Sequence, residues 1–150
     1  MQSGSGTSAR RRWLPASSLS LILACALGCA VHDSSSFQSD DLEVEVGSTR
    51  VSDDGSLMIG EIEARATGVR KLMRFDCYVF DDRNSDQRVA DNEVVRHYQC
   101  DGFPTTSLRL HNVVLKAPGE RWDHISITAV GHFEQGEDVR VFVTSNAWVE

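Results

Sequence analysis

The side chains with the clearest ligand chemistry in this chain are the oxygens of Asp82, Asn84 and Asp86, with Glu93 beyond them. Counted from Asp82, oxygens fall at positions 1, 3, 5 and 12, and the apolar Val89 stands at position 8, as in a calcium loop. Gln87 occupies the place where the sharp turn of such a loop wants glycine, and the flanks read as strands rather than helices. A solvated acidic loop is therefore the competing expectation. The second candidate is aromatic. Trp122, Phe142 and Trp148 would form a stacking platform for a sugar or a protein if they shared an exposed face. The alternative is that a loop or a sheet edge covers that face.

Histidine offers less. The five are His32, His97, His111, His124 and His132. His124 and His132 are eight residues apart on one strand face, roughly 27 Å at strand rise, and cannot share a metal. His97 and His111 would meet only through tertiary contacts, and a metal-dependent enzyme would further need a converging carboxylate. The sequence shows no strained serine turn, no glycine-rich phosphate loop and no paired carboxylates. No catalytic residue, cofactor or resident metal is assigned on these grounds, and the expectation is a non-enzymatic protein. Arg65, Arg70, Lys71 and Arg74 flank a Thr67-Gly68 turn, where they would suit an acidic partner or simply a solvated hairpin end.

The N-terminus carries an address. Arg10, Arg11 and Arg12 precede the apolar run Leu19 to Gly28, and Cys29 follows. A basic patch, a short apolar stretch and small residues before a cysteine read as a lipoprotein signal peptide, since the run is shorter than the roughly 20 apolar residues of a bilayer span. Cys29 is the expected lipidated residue, with Cys25 as the alternative. Arg10-Arg11-Arg12-Trp13-Leu14 also loosely resembles a twin-arginine export motif, with Trp13 where phenylalanine is usual, so the choice between that route and the general one stays open. The organisation read from the chain is a signal peptide over 1–28, a lipidated, serine-rich tether over 29–40, and a folded domain over 41–150. The resulting location is the bacterial cell envelope, on the periplasmic face or outer membrane.

All 22 acidic residues lie after Cys29 with only 12 of the 15 basic ones, a balance of about −10. Such a charge repels nucleic acid, whose binding relies on Lys and Arg at phosphates. The expected partners are thus the membrane, through the lipid, and an unidentified envelope protein or glycan. In an oxidising compartment Cys77 and Cys100 form an even pair and are expected as a disulfide, which would stabilise the fold by roughly 3 kcal/mol.

The elements that must position these groups have period two. Leu42, Val44 and Val46 alternate with Glu43 and Glu45, and Met58, Gly60, Ile62, Ala64 and Ala66 alternate with Ile59, Glu61, Glu63 and Arg65. Similar alternation runs through Met73–Val79, Ile125–Ala129 and Val139–Val143, with glycine turns between the runs. About seven short strands in this length predict an antiparallel immunoglobulin-like β-sandwich. A short helix within Ser85–Gln99 is the one competing element. For the last hairpin, a three-residue loop at Gln135-Gly136-Glu137 predicts His124 opposite Trp148, Val130 opposite Phe142 and His132 opposite Arg140.

The stretch Val51–Asp82 holds a turn, a strand of alternating Glu and small apolar residues, a Thr-Gly-x-Arg-Lys corner, and Met-Arg-Phe-Asp-Cys-Tyr-Val-Phe-Asp-Asp. It resembles small bacterial envelope lipoproteins of the YcfL-like type and, more distantly, FxLYD-type domains. Leu115-Lys116-Ala117-Pro118-Gly119 before a strand is compatible with the same pattern, and the resemblance covers roughly residues 42–130. It implies an immunoglobulin-like sandwich with no catalytic residues to carry over. The function expected from all of this is a structural or protein-interaction domain of the envelope, with a carbohydrate- or calcium-binding module as the alternative.

Overall fold

Alternating apolar and polar residues become strands where the apolar set has a core to face. The computed structural model describes residues 34–143. Nine strands form there: β1 Ser35–Ser39, β2 Leu42–Val46, β3 Thr49–Val51, β4 Leu57–Ala66, β5 Leu72–Asp81, β6 Val94–Thr105, β7 Ser107–Lys116, β8 Ile125–Phe133 and β9 Val139–Val143. Every pairing is antiparallel. In the first sheet β4 is central, with β2 and β3 on one flank, β7 on the other and β1 outside β2. The second sheet runs β6-β5-β8-β9. The fold is an all-β antiparallel sandwich, as the alternation predicts.

The core lies between the sheets. Leu42, Val44 and Val46 from β2 meet Phe75, Cys77 and Val79 from β5 and Ile127, Ala129 and Val141 from β8 and β9. Gly131 on β8 is part of the fit, because a Cβ there would stand 3.0 Å from methyl groups of Leu42 and Leu72. In β4 the inward set differs from strict alternation. Ile59, and not Met58, is fully buried, and Ile62 is buried as well. The cause is a paired kink. Between Ile59↔Val113 and Glu61↔His111, Asn112 takes φ 56° beside Gly60, so both strands change the face they turn inward.

Three further expectations are corrected. Ser35–Ser39, inside the expected tether, forms β1, because Phe37 packs against the core and the strand pairs with β2. Ser85–Gln99 contains no helix, since Arg83–Glu93 is irregular and β6 begins at Val94. The β8–β9 hairpin pairs Thr128 with Phe142 and Val130 with Arg140, two residues away from the expected register. Its connection is longer than three residues because His132 and Asp138 bond each other across it and Arg70 binds the carbonyls of Gln135 and Glu137. Gly136 does take the left-handed conformation expected of it, with φ 85°.

The cysteines are not bridged; both thiols are free. Cys77 lies opposite Tyr98 and Cys100 opposite Phe75, so the two are diagonal neighbours on adjacent strands. Diagonal positions stand about 7–8 Å apart, whereas a disulfide brings Cβ atoms to about 3.8 Å. Burial, and then the charge of Asp76, pushes the Cys77 thiol up to about 12, which keeps it protonated and inert.

Candidate functional site

The outer face of the second sheet gathers the chain's most unusual polar group. Arg74, Asp76 and Tyr78 alternate along β5 with the inward Phe75, Cys77 and Val79, so strand geometry sends their side chains outward. Asp76 is nevertheless fully buried. His97 from β6 places Nε2 2.8 Å from Oδ1, and His132 from β8 places Nε2 2.5 Å from Oδ2. Arg74 donates from Nε to Oδ2 at 2.9 Å. Tyr78 stacks flat on the His97 ring, with centroids 4.4 Å apart. Three bases and an aromatic ring thus roof one carboxylate.

Burial pushes the Asp76 carboxyl up, but the bonds from His97, His132 and Arg74 outweigh it and hold the group below the usual carboxylate range. His132 also reaches Asp138, with Nδ1 2.9 Å from Oδ2. Among the described residues no three His, Cys, Asp or Glu side chains are set to hold a metal ion. The Arg74 guanidinium supplies the positive charge at this carboxylate.

The sequence reading singled out His97 and His132 separately and left Asp76 aside. The signal was present, for Asp76 is a charge in the middle of the otherwise apolar run Phe75–Phe80. His97 and His111 do not meet, because His111 lies on the other sheet, where its Nδ1 is 3.4 Å from Glu61. His124 lends its backbone N–H to Asp81.

The other candidates are dispersed. Asp82 accepts the backbone N–H groups of Asp86 and Gln87, Asn84 accepts that of Asp86, and Asp86 accepts that of Arg88. The acidic loop therefore spends its oxygens on its own turns. Glu93 has a buried Oε2 with no hydrogen-bond partner. Phe142 is half-buried and meets the fully buried Phe80 edge-on, with Gln87, Arg88 and Val89 alongside. The loop and this face of the sheet line a cavity between them, with Thr128 and Arg140 beside Phe142. Trp122 is half-buried in the β7–β8 connection, beside an Arg96–Glu120 bridge of 2.6 Å. Cys25, Cys29, His32 and Trp148 lie outside the described residues, as do the expected signal peptide and the start of the tether.

The three arginines of the basic cluster at the β4–β5 corner are used internally, and Lys71 is exposed. Arg70 bonds Asp41 and two carbonyls and lies 4.2 Å over the Phe133 ring, Arg65 bridges Glu45 and Glu63, and Arg74 is committed to Asp76.

A different surface stays open. β6 is the terminal strand of its sheet and, at twelve residues, the longest of the described strands. Its ladder to β5 is regular from Arg96↔Val79 to Asp101↔Arg74, and irregularities bound it at both ends. Phe103, past the second, is 92 % exposed. Among the described residues no strand pairs its other edge. The neighbouring edge of β7 is partly capped, because Tyr98 accepts the Val114 N–H at 2.9 Å.

No protein-family model, curated protein or solved structure matches this chain. Among the described residues no helix is long and apolar enough to cross a membrane.

Proposed function

We propose that this protein is a non-enzymatic, lipid-anchored envelope protein of the YcfL-like kind, tethered through Cys29, whose sandwich binds a protein partner along the open edge of β6. The observation that carries the reading is that edge: a long terminal strand with unpaired backbone donors and acceptors and an exposed Phe103 at one end. An extended segment added there gains main-chain hydrogen bonds for affinity and side-chain contacts for selectivity. The signal-like N-terminus supports the envelope location.

Two measurements test the two halves. The intact mass of chain extracted from membranes should begin at Cys29 and include acyl chains; an unlipidated full-length mass overturns the envelope assignment. Amide hydrogen exchange within Val94–Thr105 should be slower in native membranes than in dilute isolated chain. Equal rates overturn the docking edge.

A further inference from the structure

The β6 edge has a symmetry of its own. Within its regular ladder the outward residues are His97, Gln99 and Asp101, opposite Tyr78, Asp76 and Arg74. Reversed and laid against itself about Gln99, the set pairs His97 with Asp101 and Gln99 with Gln99. We infer that the occupant of this edge is a second copy of the same chain, joined β6 to β6 in antiparallel register centred on Gln99. The inference rests on the reading of β6 as the docking edge and adds the identity of the partner.

The charges select the register. His97 holds Asp76 through Nε2, which leaves Nδ1 for the partner's Asp101. Asp101 is exposed, and the only side-chain donor it meets is Gln99, through Oδ2 at 2.6 Å. A two-fold axis through Gln99 makes both His97–Asp101 contacts at once, one on each side. Shifting the pairing by two residues sets His97 against either Phe103 or Gln99 and loses both. An edge designed to repel copies of itself carries one sign of charge along its length. This one sets a histidine and an acid at equal distances on either side of its centre.

The inner side agrees. In the same register Tyr98 meets the partner's Cys100, and these two residues are packed on the core yet only partly buried in one copy. A second β6 would cover both. The regular ladder, Arg96 to Asp101, is the part that pairs, and Pro104, which has no N–H to give, lies beyond it. The product is one continuous eight-stranded antiparallel sheet with an isologous interface.

The test places a photo-crosslinking residue on the axis, Gln99→p-benzoylphenylalanine, in the full chain in its native membranes. The expected product has twice the mass of the chain, with the adduct mapping to β6 of the second copy. Asp101→Lys, at an exposed position, should lower its yield at least about tenfold, and Asp101→Glu should preserve it. Adducts only with a different protein overturn the second copy and leave β6 as the docking edge. Self-adducts away from β6 overturn the register, and absence of any adduct overturns both the dimer and the docking edge.

Discussion

On the outer face of the first sheet, Glu63 lies beneath Arg65 and Arg109; on the outer face of the second, Asp76 lies beneath Arg74, His97 and His132. Both carboxylates are buried, at 5 % and 0 % exposure, and both are held below the ordinary range although burial pushes them up. The first belongs to a ladder with spare members, since Arg65 also reaches Glu45 and Arg109 also reaches Glu61. At the second, one acid serves three bases, and only His132 has another carboxylate, Asp138. Burial of a charge is tolerable in either arrangement. The number of alternative partners decides how much its loss costs.

The largest effect is expected from Asp76→Ala. It leaves three basic groups crowded together with their shared acceptor gone, which should lower stability by about 3 kcal/mol in urea unfolding. Acid approaches the same end. Asp76 has a folded-state pKa below its unfolded value, so its contribution is complete above about pH 4 and is lost as the pH falls through the folded value. In a series of urea titrations from pH 5 to 2, Asp76→Ala should fall less steeply than the parent. Parallel curves would show that the carboxylate is not held as described.

His132→Ala is expected to come next, at about 2 kcal/mol, because it removes charge-assisted bonds to Asp76 and Asp138 and unpins the β8–β9 connection. Hydrogen exchange should rise at residues 134–138 in this variant and stay unchanged around Glu63. A rise on both faces would break the distinction between them.

The strands β2, β5, β8 and β9 were legible because each carries a run of apolar residues at every second place that faces the core. β1 was hidden, since Phe37 alone among serines and glutamine gives no period. The face change in β4 was hidden as well, because it depends on Asn112 in a strand over fifty residues away. The Asp76 site was half legible. Parity along β5 sends Asp76 outward beside Arg74 and Tyr78, but which histidines reach it depends on the order β6-β5-β8. Residues 97 and 132 become neighbours only after two strands from distant sequence flank the third. The surroundings of the aromatic and acidic candidates were not legible for a related reason: the loop after β5 lines a cavity together with Phe142 and turns oxygens of Asp82 onto its own backbone.

The smallest effect separates the two faces most sharply. Glu63→Gln keeps the side-chain shape and removes the charge, and Arg65 and Arg109 fall back on Glu45 and Glu61, so a loss of about 1 kcal/mol is expected. Those fallback pairs are exposed, and 1 M salt, with a Debye length of about 3 Å, should weaken them. Asp76 sits under its roof beyond that screening. The cost of Glu63→Gln should therefore change with salt while that of Asp76→Ala holds nearly constant. If the two costs were equal and equally insensitive to salt, the supply of spare partners would not be what distinguishes the faces, and depth of burial alone would set both.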